Sequence, residues 1–125
     1  MSRFITGLFL VFNLCTQAQK VQPMAANNCM EVVTFKPKEG VSNEQLMEAM
    51  RSTNAIVKNF DGFLSRSIAI DQQGGFIDVV YWESLSQALR AAQQVQEIPE
   101  VMEHFALIDP KSIKMSHFEV FTRQE

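Results

Sequence analysis

Six side chains in this chain have the types and spacing that chemistry requires: His117, Trp82, Arg66, Tyr81, Asp78 and His104. His117 alternates with Ile113, Met115 and Phe121, so in an extended strand it shares their face. Histidine titrates near neutral pH and can act as a general base when a neighbour fixes its tautomer. Glu119, two residues along the same face, is placed to do that. The plainer role for His117 is a hydrogen-bonded histidine at a subunit interface. Trp82 and Tyr81 are consecutive and point to opposite faces of a strand, so one borders the interior and the other the far side. Either ring can stack on a substrate or serve as core. Arg66 and Asp78 fall on the two arms of a hairpin. On one face they pair, whereas an unpaired Arg66 would bind a substrate oxyanion. His104 closes the short run Val101-Met102-Glu103-His104-Phe105. There it either reaches a ligand, haem iron included, or complements the end of a helix. Catalytic work is thus expected of His117 and Trp82, and ligand contacts of Arg66, Tyr81, Asp78 and His104.

Several chemistries lack their residues. Two histidines in different elements and two cysteines, one of them within an N-terminal apolar run, make no metal-ligand spacing. There is no Ser-His-Asp or Cys-His signature, no phosphate-cradling glycine loop and no paired carboxylate arrangement. No metal and no cofactor is therefore expected. Seven methionines, among them Met47, Met50, Met102 and Met115 on apolar rows, suit adaptable core filling.

The N-terminus has the form of a secretory signal. Arg3 is the sole charge before Lys20, Phe4 to Leu14 is largely apolar, and Thr16-Gln17-Ala18 gives a small-x-small ending. Cleavage before Gln19 is expected, with residues 1–18 as signal, 19–28 as a flexible leader and 29–125 as one domain. The apolar run is too short for a permanent membrane span. A secreted or periplasmic protein follows, with no membrane attachment once cleaved. Loss of the signal removes one of 11 basic residues and none of the 14 acidic ones, which takes the net charge from −3 to −4. No arginine cluster or basic patch is present to grip phosphates, so nucleic acid is not an expected partner. Cys29 alone would remain, as a buried apolar residue or as a bridge between subunits.

The elements that must position these residues can be traced by period. Cys29 to Phe35 is β-branched and apolar and ends before Pro37, the pattern of a first strand. Ser42 with Gln45 three residues later forms a capping box. Leu46, Met47, Met50, Thr53, Val57 and Phe60 then follow helical spacing until Asp61-Gly62 stops the helix. A second strand runs from Phe63 to Asp71, with Leu64, Ile68 and Ile70 on one face and Phe63, Ser65, Ser67 and Ala69 on the other. Gln72-Gln73-Gly74-Gly75 turns it into a third strand, Phe76 to Trp82. Ser84 with Gln87 repeats the capping box ahead of a helix carrying Leu85, Ala88, Leu89, Ala92 and Val95. Pro99 opens a short additional helix, and Lys111 to Thr122 alternates as a long last strand.

The order β-α-β-β-α-β is that of the ferredoxin-like α+β fold, a four-stranded antiparallel sheet with both helices on one face. The third strand is apolar on both sides, with Phe76, Val80 and Trp82 opposite Ile77, Val79 and Tyr81. Helices cover one side only, and a large bare apolar patch is uncommon on a soluble monomer. A two-fold homodimer with facing sheets is the expected solution.

This order, with Val79-Val80-Tyr81-Trp82-Glu83-Ser84 leading into an alanine-rich helix, resembles the dimeric α/β-barrel superfamily and, within it, the antibiotic biosynthesis monooxygenase group. The resemblance extends from Cys29 to Phe121. It is carried by Trp82-x-Ser84, by Gly62-Phe63 at a strand opening, and by the ending His117-Phe118-Glu119-Val120. It implies a chamber between sheet and helices in each subunit of a homodimer, and a small apolar or aromatic ligand. Characterised members include oxygenases of phenolic or quinol-like compounds that use neither metal nor flavin, and also haem-degrading enzymes. Two departures stand out. Many members place a histidine, tryptophan or other functional residue nine positions after the strand tryptophan, where this chain has Ala91. The haem-degrading subgroup uses an asparagine on its first strand. Here Asn27 and Asn28 only precede that strand. The resemblance thus implies a cofactor-independent monooxygenase, with a non-catalytic dimer that binds a hydrophobic ligand or haem as the alternative.

Overall fold

The computed structural model describes residues 28–125. The expected signal and nearly all of the leader lie outside the described residues. Four strands, β1 (Cys29–Phe35), β2 (Phe63–Ile70), β3 (Phe76–Trp82) and β4 (Lys114–Glu119), form one antiparallel sheet in the order β2-β3-β1-β4. Between them lie α1 (Asn43–Ser52), a one-turn α2 (Asn54–Val57), α3 (Leu85–Val95) and α4 (Pro99–Phe105). This is the expected ferredoxin-like α+β arrangement. β4 is shorter than the alternation suggested, because Pro110–Ser112 close into a single 3-10 turn before it.

The register decides which residues meet the helices. Cys29, Glu31, Val33 and Phe35 of β1 stand opposite Trp82, Val80, Asp78 and Phe76 of β3, and these rows face the helices. β2 breaks its alternation. A register shift between Phe63 and Ser65 places Phe63 opposite Trp82, where the two rings meet edge-on with centroids 6.0 Å apart. Leu64 is left exposed, so the expected faces of Phe63 and Leu64 are exchanged. A bulge of this kind sets two residues against one and cannot be seen in a period-two pattern.

Helix ends follow local chemistry. Ser42 and Gln45 make the full capping box of α1. At α3 only half of the expected box forms. Ser84 Oγ accepts from the Gln87 N–H, while the Gln87 amide turns to the Ser84 hydroxyl and to Asp61. Gln87 also fills the space over Gly62, whose φ of 86° favours glycine; a Cβ there would lie 2.5 Å from Gln87 Cδ. The expected long first helix is interrupted at Thr53, which is fully buried and donates its hydroxyl to the Met50 carbonyl at 2.7 Å. In the hairpin turn, backbone N–H groups of Gly75 and Gln73 donate to Asp71 and hold its carboxyl below the usual 3.8.

Two apolar clusters anchor the helices at opposite ends of the sheet. Phe35, Leu46, Ala49, Met50, Phe76 and Ile108 form one; Cys29, Val80, Trp82, Ala88 and Ala91 form the other. The helix-free face carries Met30, Val32, Ile77, Val79, Tyr81 and Phe118, of which Ile77 and Phe118 are exposed. The C-terminal tail reaches this face, with the Arg123 guanidinium 4.2 Å from the centroid of the Tyr81 ring.

Candidate functional site

The gap between the two clusters is a chamber of about 510 Å³. That volume falls within the range of small-molecule sites. Phe35, Met50 and Ile108 from one cluster and Val80, Trp82 and Ala91 from the other contribute to its walls. Gln96 just after α3, Met102 of α4, Ile113 just before β4 and Met115 within it line the chamber and are exposed, which marks them as its mouth.

Its floor is the sheet, and three polar features stand on it. The first is Arg66 with Asp78. Nε lies 3.0 Å from Asp78 Oδ1 and Nη2 lies 2.7 Å from Oδ2, a bidentate pair with side chains only 5% and 10% exposed. Nη1 donates to Thr53 Oγ1 at 2.8 Å and to Asn54 Oδ1 at 3.1 Å. Four of the five guanidinium N–H donors are thereby committed. The break between α1 and α2 thus has a purpose, since it delivers the two oxygens that clamp Arg66.

The second feature is Glu31, whose Oε2 lies 2.8 Å from His117 Nε2 across the β1–β4 register. With the carboxylate ionised, the imidazole is the donor. Glu31 lines the chamber and His117 does not. The third is Trp82. The residue is 2% exposed and borders the chamber, and its Nε1 is buried with no hydrogen-bond partner among the described residues.

Of the six residues singled out from the sequence, Arg66, Asp78 and Trp82 are brought together on the chamber floor. Asp78 and Arg66 pair, the simpler of the two outcomes weighed for them. His117 stands behind Glu31, and Glu31 rather than Glu119 is its carboxylate neighbour. Tyr81 lies on the opposite face of the sheet. His104 is on α4 but outside the lining, which takes Met102 and Phe105 from that helix. Neither Tyr81 nor His104 reaches this chamber, so a haem held in it would not meet His104. Sequence reasoning missed Glu31, Thr53 and Asn54. A signal existed for Glu31, which alternates with Cys29, Val33 and Phe35 and so stands in an otherwise apolar, inward row. Among the described residues, no group of three or more His, Cys, Asp or Glu side chains is placed to hold a metal ion.

No protein-family profile matches the sequence, and no curated protein matches it. Solved structures do. SnoaB from Streptomyces nogalater, a cofactor-independent oxygenase, is 16% identical with a TM-score of 0.58 over 80% of this chain and 97% of its own. A Bordetella bronchiseptica protein named as an antibiotic biosynthesis monooxygenase is 10% identical, with a TM-score of 0.65 over 77% of this chain and 99% of its own. A similarly named protein from Nitrosomonas europaea is 12% identical, with a TM-score of 0.61 over 77% and 92%. The sheet order, the helices on one face and these neighbours together give this chain a ferredoxin-like α+β fold, which it shares with these structures.

Proposed function

We propose that the chamber binds a small aromatic or otherwise apolar molecule bearing an oxygen acceptor, and that the protein is a cofactor-independent monooxygenase of a quinol-like compound. The observation that carries this reading is the largely apolar chamber of about 510 Å³ that Trp82 borders, with the buried Trp82 Nε1 unpartnered among the described residues. A buried N–H without a partner is unfavourable by about 1–3 kcal/mol, and a ligand carbonyl or phenolic oxygen brought to it would relieve that cost. Walls such as Phe35, Phe60 and Phe105 bury the ligand's rings and keep water from a reactive anion. In this chemistry a substrate methylene next to a phenolic ring loses a proton and its electrons reduce dioxygen. One oxygen atom enters the product as a carbonyl and the other leaves as water, so no external reductant is required. SnoaB, whose fold this chain shares, is itself a cofactor-independent oxygenase.

A second reading is a carrier that shields the same class of molecule without altering it. Ala91 and Ala92 favour it, since the chamber wall there is methyl groups where many members of the resembled family place a functional side chain. Because Trp82 is the only tryptophan, its fluorescence reports occupancy directly. Titration with a panel of anthrones and quinols, with oxygen uptake recorded in parallel, separates the two. Quenching with uptake that falls in Trp82→Phe supports the oxygenase, and quenching without uptake supports the carrier. Absence of quenching by every compound refutes both.

The same reading includes a homodimer formed through the helix-free face and export after cleavage before Gln19. Exposed Ile77 and Phe118, in line with Val79 and Tyr81, support the first. The charge and apolar pattern of residues 1–18 supports the second. Light scattering that gives a monomer for wild type at micromolar concentration refutes the dimer, and N-terminal sequencing of the exported protein tests the cleavage site.

A further inference from the structure

Two carboxylates face the chamber, and their surroundings assign them different work. Both oxygens of Asp78 are held by Arg66, at 3.0 and 2.7 Å, so its charge is fully engaged by a permanent cation. Glu31 has one engaged oxygen. Oε2 meets His117 Nε2, while Oε1 has no protein partner among the described residues. The Glu31 side chain is only 10% exposed, and Oε1 keeps accessible surface, so a ligand can reach it. His117 projects from the edge strand β4 and is 17% exposed, and it grips Glu31 from the side away from the cavity lining. The chamber therefore contains one carboxylate oxygen free to receive a proton, on a group whose other oxygen is fixed.

We propose that Glu31 is the proton acceptor of the chamber and that His117 is its positioning residue. Building on the ligand class proposed above, the acceptor acts on a phenolic O–H or an activated C–H. The bond from that hydrogen to the ligand breaks, an O–H bond forms on Glu31 Oε1, and the electron pair stays on the ligand as an anion. That anion shares the chamber with the Arg66 guanidinium, whose fifth N–H is uncommitted. His117 holds Oε2 through Nε2–H and so fixes the carboxylate plane.

The test uses 4-nitrophenol, whose phenolate is yellow and whose phenol is not. Wild type, Glu31→Gln, Glu31→Asp, His117→Ala and His117→Gln are each titrated at a mildly acidic pH where the free probe is phenol. Trp82 fluorescence reads binding and visible absorbance reads the phenolate fraction. Wild type is expected to quench and turn yellow. Glu31→Gln is expected to quench with a phenolate fraction lower by about tenfold, the ratio equivalent to one pKa unit. His117→Ala should lose part of the colour, and His117→Gln, which still offers an amide N–H to Oε2, should restore it. Should Glu31→Gln fail to fold, Glu31→Asp decides, because a carboxylate one methylene shorter must lower the colour while quenching persists. Quenching without colour in wild type, or equal colour in wild type and the Glu31 variants, overturns the assignment to Glu31. Absence of quenching in wild type overturns the ligand reading on which it rests.

Discussion

Asp78→Asn is the substitution that most directly probes the chamber floor. The side chains are nearly isosteric, so no cavity forms, and the change removes the charge and one of the two acceptor oxygens. In the native protein the Arg66 side chain is 5% exposed and donates two short bonds to Asp78, while Thr53 and Asn54 accept from two more of its N–H groups. After substitution the neutral acceptors remain, but the cation is buried without a counter-charge. Removing one partner of such a pair costs about 3–5 kcal/mol. The carboxamide introduced by the substitution would still accept one hydrogen bond, which places the expected loss near the lower bound, about 3 kcal/mol. For a domain of this size that corresponds to a fall in Tm of roughly 12–24 °C. The assay is urea unfolding of wild type, Asp78→Asn, Arg66→Met and the double variant. Arg66→Met in the Asp78→Asn background removes the uncompensated charge, so the double variant should be more stable than Asp78→Asn alone. Strictly additive losses, or a loss below about 1 kcal/mol for Asp78→Asn, would refute the reasoning. Either result would mean that the pair is solvated from the chamber.

Gly62→Ala should be less stable than Gly40→Ala by thermal melting. Both glycines have φ near 86°, which disfavours alanine by about 1–2 kcal/mol, but only Gly62 has a neighbour, Gln87, inside the space a Cβ would take. Asp71→Ala should lower the melting temperature at neutral pH and lose its effect in acid. The carboxyl is held below its usual value by the Gly75 and Gln73 N–H groups, so its stabilisation is present above that usual value and vanishes as pH falls through the lowered one. A gap to wild type that persists in strong acid would contradict this. Ala91→Phe should fill the chamber from α3 and abolish quenching of Trp82 by 4-nitrophenol, with a change in stability of no more than about 1–3 kcal/mol; unaltered quenching would place the ligand elsewhere.

The order of elements is legible because it is written in local signals: the Ser42–Gln45 box, the Gly74-Gly75 turn, and apolar rows of period two and 3.6. Those signals carry no information on which strand lies beside which when the pairing is distant. The His117–Glu31 bond joins residues 86 apart in sequence and exists only because β1 runs between β3 and β4. His117 is recognisable as a candidate, yet the sequence offers it neighbours only along its own strand, and Glu119 is the one it suggests. The Phe63–Leu64 exchange is hidden for a different reason. A bulge is a property of two strands together, and alternation in one of them continues past it unbroken. Thr53 fits the apolar stripe of its helix by size and spacing. Its hydroxyl becomes meaningful only once Arg66 is seen to arrive from β2.

For the proposed ligands, the Trp82 N–H would also act as a filter wherever binding brings an acceptor to it. A planar hydrocarbon of the right outline would fill the chamber but leave that donor unmet, whereas a ketone or quinone of the same outline would satisfy it. Expressed as selectivity, about 1–3 kcal/mol for one unmet buried donor is a preference of roughly fivefold to 150-fold for the oxygenated compound over its hydrocarbon analogue. Discrimination of this kind arises from a donor for which the described residues supply no acceptor, and it requires no added residue to exclude the wrong molecule.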